Sequence, residues 1–241
     1  MNTLLEVIAF DINSCRLIEE AGGGRIELCA NPLEGGTTVS YGMLKAAREA
    51  VEIPIFPIIR PRGGDFLYTE EEFAVMKSDV LVAKEIGMNG VVFGFLKPDG
   101  TVDYERTARL VELAYPMDVT FHRAFDHVPD KLEALEHIIK AGCQRILSSG
   151  GASTVLEGIS TLLACIKAAK DRIILLPGSG IRSGNIGRLK ALTGLEEFHS
   201  SARKLTTGAM EYRNPLLTEG AQTWTVDPDE IKACLAAVQN D

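Results

Sequence analysis

The chain has 241 residues, of which 46% are hydrophobic, and this length suits one α/β barrel with a sizeable core. A formal net charge of −8 argues against nucleic acid or an anionic membrane as a partner. The first residues lack the pattern of a secretory signal, and no stretch approaches the roughly 18 apolar residues of a membrane helix. The cysteines are scattered without a Cys-x-x-Cys pair, so we expect a reducing, cytoplasmic location.

In chain order, short apolar runs rich in β-branched residues alternate with longer amphipathic stretches. The predicted strands are residues 4–10, 25–29, 55–60, 90–93, 118–122, 145–149, 172–176 and 196–200. Helices are predicted near residues 12–22, 40–51, 69–87, 103–114, 130–141, 153–170, 183–192 and 228–239. Eight strand–helix units predict a parallel sheet closed into a (β/α)8 TIM barrel. The alternative, a doubly wound open sheet, would usually carry an early Gly-rich dinucleotide turn, and none is visible.

The helix boundaries and the end of the chain support the same reading. Thr69 and Glu72 match a capping box, and Ser40 and Asp130 are candidate N-caps. We expect a single TIM-barrel domain with a barrel core over about residues 4–202. A mostly polar tail and the last helix would follow over residues 203–241.

Polar residues stand out at the ends of the predicted strands, because strands of a parallel barrel should be apolar on both faces. Glu27 and Cys29 share a face of the second strand, Arg60 ends the third, His122 ends the fifth and His199 lies in the eighth. The C-terminal ends of the strands form the catalytic face of characterised barrels. We therefore predict a functional site there, and a buried structural pair, such as Glu27 with Arg60, stays open as an alternative.

The loop after the third strand, residues 60–66, is the most specific local feature. Arg60 and Arg62 form a fork suited to a carboxylate or a phosphate, with a Gly pair that permits close approach of a ligand. Asp65 could orient an arginine or accept a substrate hydroxyl. The alternative is a tight turn held by Arg–Asp pairing.

The segment after the fifth strand offers a titratable base with charged partners. We assign general acid or base catalysis to His122 and place Asp126 beside it in the catalytic set. We assign anion binding to Arg123 and to Ser149, which ends the sixth strand. A structural ion-pair cluster is the alternative.

Glycine turns follow the seventh and eighth strands, where barrel enzymes often bind phosphate together with a helix N-terminus. Gly178, Gly180 and Ser201 are accordingly predicted to hold a phosphate. Glu6 lies earlier in its strand, and we predict a structural role for it.

Segments 25–29, 59–66, 119–126, 145–150 and 197–201 resemble the copper homeostasis protein CutC family, over almost the whole chain. The resemblance implies an α/β barrel, a cytoplasmic location and self-association, for which we expect a homodimer. It also implies a role in copper homeostasis or Cu(I) binding, with copper as the candidate cofactor.

One departure bears on the copper assignment. Family members proposed to bind copper place a cysteine on the first strand near the cysteine of the second strand. Here the first strand has Ile8 and Ala9, so Cys29 alone carries over as a metal ligand. Because Cu(I) prefers two or three soft ligands, His122 or His199 would have to assist.

Three functions stay open from the sequence. The first is a copper-handling protein that uses Cys29. The second is a barrel enzyme that acts on a small anionic, phosphorylated or sugar-like substrate, with Glu27 as the partner of His122 or as the second catalytic group. The third is a non-catalytic scaffold. The residue chemistry favours the enzyme, and the resemblance favours the copper role.

Overall fold

The computed structural model describes residues 3–212, 214, 216–217 and 222–239. Eight strands form its centre: β1 (Leu4–Ala9), β2 (Arg25–Leu28), β3 (Ile55–Pro57), β4 (Gly90–Phe93), β5 (Asp118–Phe121), β6 (Arg145–Ser148), β7 (Ile174–Pro177) and β8 (Glu197–Ser200). The helices are α1 (Ile12–Glu20), α2 (Tyr41–Ala50), α3 (Glu70–Ile86), α4 (Tyr104–Ala114), α5 (Lys131–Ala141), α6 (Ile159–Ala169), α7 (Ser183–Thr193) and α8 (Pro228–Gln239). Each predicted strand is present, and the predicted α/β barrel is confirmed.

The strands form two parallel hydrogen-bonded runs, in the orders β3-β2-β1-β8 and β4-β5-β6-β7. Just beyond β3, Ile58 bridges to Val92 of β4, and the Ile59 nitrogen donates to the Val92 oxygen at 2.7 Å. On the other side, β7 packs beside β8. The two runs therefore close into one barrel, and all eight C-terminal strand ends meet at the same face.

Side chains on the strands alternate between the helix layer and the barrel interior. The outward set, such as Leu5 and Val7, packs under the helices in the main hydrophobic core. A smaller separate apolar cluster belongs to the interior, and its buried members are Cys29, Phe56, Ile58 and Val92.

A charged layer fills the N-terminal part of the barrel interior. The guanidinium groups of Arg25 and Arg145 lie 5.1 Å and 5.4 Å from the centre of the Phe56 ring. Glu197 accepts hydrogen bonds from both arginines, at 2.8 Å and 3.0 Å. Gly90 is required beside this ring, because a Cβ there would lie 2.4 Å from a Phe56 carbon. This layer leaves the C-terminal part of the interior available for a site.

The sixth helix begins later than predicted. Residues 151–158 form bends and turns, and α6 starts at Ile159 rather than near residue 153. The loop packs backbone against backbone, since a Cβ on Gly158 would come within 1.9 Å of the Ser149 oxygen. The glycine at this position is thus needed for the close approach.

The tail, which was predicted only as a mostly polar segment before the last helix, contains two strands. Strands β9 (Arg203–Thr207) and β10 (Gln222–Val226) form an antiparallel pair before the predicted last helix, which is confirmed as α8. The Arg203 guanidinium lies 4.4 Å from the centre of the Trp224 ring. No residue of β9 is buried, so the apolar alternation that identifies a strand in a sequence is missing.

Candidate active site

A cavity of about 690 Å³ lies at the C-terminal ends of the strands. This volume falls within the range of about 300–1,000 Å³ that is typical of small-molecule sites. Its apolar lining is Ile8, Ile58, Phe66, Leu67, Leu96 and Leu147. Six of the predicted site residues also line it: Glu27, Arg60, Asp65, His122, Arg123 and His199.

Three buried side chains on adjacent strands form a line that ends at the cavity. His199 Nδ1 lies 2.7 Å from Glu6 Oε1, and His199 Nε2 lies 3.8 Å from Glu27 Oε2. Strand register sets this order, because β1 pairs with both β8 and β2 and places Glu6 opposite His199. Glu27 and His199 line the cavity, whereas Glu6 is not part of its wall.

The surroundings of Glu6 and Glu27 shift the pKa values of these two carboxyl groups in opposite directions. Burial would raise the pKa of Glu6, but Arg25 and His199 overcome it and lower that pKa from 4.5 to about 2. Burial would lower the pKa of His199, yet its hydrogen bond to Glu6 and the Glu27 charge raise it overall. Burial raises the pKa of Glu27 to about 7, with His199 acting against it. Glu27 can therefore gain and lose a proton near neutral pH.

Arg60 was predicted to bind an anion, and in the structure its terminal nitrogens bind main-chain oxygens. Its Nη1 and Nη2 atoms donate to three main-chain oxygens, those of Glu34 at 2.6 Å, Gly36 at 2.8 Å and Gly64 at 2.7 Å. It thereby ties the loop after β2 to the loop after β3. Among the described residues, Arg60 forms no ion pair with Glu27, whose ion-pair contact is His199. The structure therefore does not contain the internal Glu27–Arg60 pair that was considered as an alternative.

Arg62 turns away from the cavity. Its Nε donates to Glu72 Oε1 at 2.6 Å, and its Nη2 donates to Asp65 Oδ1 at 3.0 Å. Glu72 also belongs to the predicted capping box of α3, which is present with Thr69 as the N-cap. The structure thus matches the alternative of an Arg–Asp-pinned turn for Arg62, and it does not bring Arg62 to the cavity with Arg60.

His122 directly follows β5, and its two ring nitrogens have different surroundings. Nδ1 accepts a hydrogen bond from the Ala124 nitrogen at 3.2 Å, so the proton of the neutral ring is on Nε2. Nε2 is buried and has no hydrogen-bond partner in the described structure. Burial and the charge of Arg60 lower the pKa of His122 to about 3. With this low pKa the ring is neutral at neutral pH and presents a hydrogen-bond donor at Nε2. The predicted role of His122 as a general acid or base stays a prediction.

Asp126 is enclosed by donors and does not line the cavity. It accepts from Arg123 Nε at 2.8 Å, Ser148 Oγ at 2.6 Å and the Ser149 nitrogen at 3.1 Å. These bonds fasten the turn after β5 to the end of β6. They also orient Arg123, which does line the cavity, and Ser149, which does not. The geometry gives Asp126 a positioning role.

The glycine turns after β7 and β8 do not reach the cavity: Gly178, Gly180 and Ser201 are absent from its lining. The nearby N-terminus of α7 already holds a carboxylate of the chain. Glu230 of α8 accepts from the Ser183 nitrogen at 2.8 Å and from Ser183 Oγ at 3.0 Å. The predicted phosphate site at this helix N-terminus is thus not favoured.

Cys29 is buried in the apolar cluster inside the barrel and does not line the cavity. Burial and the nearby Glu27 and Glu6 raise the pKa of its thiol well above 9, which works against the thiolate that Cu(I) requires. In the described part of the chain, no group of three or more His, Cys, Asp or Glu residues is placed to hold a metal ion. These residues do not form a recognisable copper centre.

Some cavity residues escaped the sequence reasoning. Lys97, His127 and Glu34 line the cavity, whereas Glu6, for which a structural role was predicted, contacts His199 and is not part of the lining. The signal for Glu6 was its spacing of two from Ile8, which puts both on the inward face of β1. Lys97 had a weaker signal, since it follows β4 in an ordinary loop.

The fold and the cavity define this chain as an α/β-barrel protein with a small-molecule type of site at the C-terminal strand ends. Residues 3–204 match the model of the CutC family, and the chain belongs to that family. A family protein CutC from Parabacteroides distasonis is 45% identical over 97% of this chain and 99% of its own length. The mouse relative, named copper homeostasis protein cutC homolog, is 46% identical over 90% of this chain and 80% of its own length.

Solved structures agree on the fold. The crystal structure of CutC from Streptococcus agalactiae has a TM-score of 0.78 and 31% identity, covering 83% of this chain and 98% of that one. Phosphoribosyl anthranilate isomerase from Thermotoga maritima has a TM-score of 0.62 at 13% identity, over 99% and 100% of the two chains, and shows the barrel alone. In the described residues, none of the helices has the length and hydrophobicity needed to cross a membrane.

Proposed function

We propose that the cavity is an acid–base catalytic centre for a small anionic ligand of the phosphorylated or sugar-like class. The observation that carries the proposal is Glu27, held 3.8 Å from His199 on the wall of an open cavity. Glu27 is the proton-transfer group, His199 is its partner, and Glu6 is the positioning residue that fixes the imidazole.

The cavity contains cations that suit an anionic ligand. Arg123 and Lys97 line it, and Arg123 is 42% exposed, so its charge reaches solvent and an incoming ligand. Because the pKa of His122 is low, its ring is neutral at neutral pH, and its Nε2–H group is an additional uncharged donor among the lining residues. A carboxyl group with a pKa near 7 beside hydrogen-bond donors is the arrangement that enzymes use for proton transfer at neutral pH.

A panel of small sugar phosphates and sugar acids, incubated with the purified protein and followed by NMR and mass spectrometry, tests this function. We expect turnover of at least one member, reduced by about 10²-fold or more in Glu27→Gln, as for loss of a general base. Glu133→Gln is the control, since Glu133 lies on α5 and is absent from the cavity lining. Absence of both binding and turnover across the panel, or turnover unchanged in Glu27→Gln, would contradict the proposal.

We also propose that the chain takes part in copper homeostasis, the role for which its mouse and human relatives are named. The role would be exercised through the chemistry of the cavity rather than through Cu(I) held by Cys29. Anaerobic Cu(I) titration against a competing chelator tests the point, and we expect no tight binding that depends on Cys29. Tight Cu(I) binding that is lost in Cys29→Ala would contradict this proposal and support a copper site at Cys29.

Three further expectations stay predictions. They are a cytoplasmic location, a homodimer and a single domain over the whole chain. Size-exclusion chromatography with light scattering would measure the oligomeric state directly.

A further inference from the structure

Two residues that line the cavity each have a buried nitrogen donor without a hydrogen-bond partner in the described structure. His122 Nε2 is buried and has no hydrogen-bond partner in the described structure; Arg60 Nε is buried too, and the Arg60 side chain also interacts with the buried Tyr68 hydroxyl. The Phe66 ring contacts both side chains, with its centre 4.8 Å from the His122 ring centre and 5.0 Å from the Arg60 guanidinium carbon. Buried donors without partners are costly, so their presence on a cavity wall points to a ligand oxygen.

The state of His122 fits an oxygen that gains negative charge. Because Nδ1 accepts from the Ala124 nitrogen, the neutral ring presents an N–H group at Nε2. The positively charged Arg60 beside it disfavours the imidazolium form. A fixed neutral N–H next to a guanidinium stabilises a developing oxyanion without having to give up its own proton.

The mouth of the cavity offers a separate place for an anion. Lys97 lines the cavity and is exposed, and its charge also acts on the nearby Asp99 carboxylate. Arg123 uses Nε for Asp126 and Nη2 for Ser149, and its Nη1 is left for a ligand. These two residues lie in the segments that follow β4 and β5, and both line the cavity with His122.

We propose that the ligand is a small hydroxycarbonyl compound with a phosphate or carboxylate group, and that the reaction is enolisation beside the carbonyl. The carbonyl oxygen accepts from His122 Nε2, with Arg60 Nε beside it, and the anionic group binds Lys97 and Arg123. This inference rests on the proposed function and names its substrate class and reaction.

The proposed step balances without a cofactor. The Glu27 carboxylate takes the proton from the carbon beside the carbonyl, and the electron pair of that C–H bond forms a carbon–carbon double bond. The carbonyl π pair moves onto oxygen, where the His122 N–H holds the charge. The protonated Glu27 then gives this proton to the former carbonyl carbon, while the proton of the neighbouring hydroxyl moves to the former carbonyl oxygen, so that the product is an isomer with the carbonyl moved by one carbon.

Calorimetric binding of phosphoglycolohydroxamate, a planar enediolate mimic that carries a phosphate, tests this assignment against inorganic phosphate. We expect the mimic to bind about 10²-fold more tightly than phosphate, as transition-state analogues exceed simple ligands. His122→Phe should weaken the mimic by about tenfold or more but leave phosphate unchanged, because one hydrogen bond to a charged oxygen is lost. His122→Gln, which keeps an N–H donor, should recover part of the loss.

Arg123→Ala should weaken both probes by about tenfold or more, since it removes a charged contact to the phosphate. The matched control is Arg172→Ala, because Arg172 is also 42% exposed and paired with a carboxylate but is absent from the cavity lining. The wild-type protein gives a second readout that needs no variant. Its ¹⁵N-labelled His122 should show a protonated Nε2 that shifts when the mimic binds.

The outcomes separate this inference from the proposed function. Phosphate binding that depends on Arg123, with no preference for the mimic and no change at His122 Nε2, would overturn the enolisation assignment and leave the acid–base site standing. Failure of both probes to bind would overturn the two together. A tight mimic that depends on His122 and Arg123 supports both.

Discussion

Replacing Glu6 by glutamine removes the negative charge that supports His199 at the cavity. In the folded protein Glu6 is 1% exposed and is bonded to both Arg25 and His199. Its pKa falls from 4.5 to about 2, and at about 1.4 kcal/mol per pKa unit this corresponds to roughly 3 kcal/mol of stability. Breaking a buried charge pair by removing one partner costs about 3–5 kcal/mol, so the two lines of reasoning agree.

The pH dependence of this loss has a definite sign. Because the folded pKa of Glu6 is lowered, its stabilisation is full above pH 4.5 and disappears as the pH falls toward about 2. The pKa of His199 is raised, so its part of the stabilisation is full below pH 6.5 and disappears as the pH rises through the folded value. The difference between wild type and Glu6→Gln should therefore be largest between pH 4.5 and pH 6.5.

Urea denaturation from pH 3 to pH 8 measures the effect. We expect Glu6→Gln to lose about 3 kcal/mol near pH 5.5, with a smaller difference at either end. The control is Glu136→Gln, where an exposed carboxylate pairs with Arg172 on the surface, so the loss should be much smaller than for Glu6→Gln. A loss below about 1 kcal/mol for Glu6→Gln, or a difference that grows below pH 4.5, would refute the reasoning.

Three further substitutions test other parts of the structure. Arg60→Lys should lower the free energy of unfolding by about 2–4 kcal/mol, because one ammonium group cannot donate to all three carbonyl oxygens in this geometry. Arg62→Lys is the control: the Arg62 side chain is 39% exposed, and its replacement should cost about 1 kcal/mol or less. Equal losses for the two variants in urea denaturation would contradict this. Asp126→Asn should cost about 3 kcal/mol because an amide cannot accept from all the surrounding donors, and an unchanged melting temperature would argue against the bonds described. Gly90→Ala should cost about 3 kcal/mol or prevent folding, since its Cβ would meet the Phe56 ring; wild-type thermal stability would rule out that packing.

The strand order and the barrel were predictable because they follow from local patterns. Residues 90–93 form a fully buried apolar strand, and the glycine that follows α3 ends that helix in the left-handed conformation. The hairpin of β9 and β10 was not predictable in this way. The residues of β9 face solvent, and β10 offers only the two apolar residues Trp224 and Val226, which is a short signal for a strand.

The candidate site was predictable in its residue types but not in its contacts. Strand parity turns Glu27, His122 and His199 toward the barrel interior, and all three line the cavity. The partners of Arg60 are main-chain oxygens of distant loops, which no side-chain pattern records. Likewise the helix N-terminus expected to bind phosphate is capped by Glu230, a residue 47 positions away from Ser183 along the chain.

The most direct test of the central claim is the titration of the Glu27 carboxyl group. Carbon-13 NMR of glutamate-labelled protein, with Glu27→Gln used to assign the resonance, gives its pKa. We expect a value of about 7, and a higher one in His199→Gln, because His199 lowers the pKa of Glu27. A Glu27 carboxyl that titrates at its ordinary value of 4.5, unchanged by His199→Gln, would contradict an acid–base centre in this cavity.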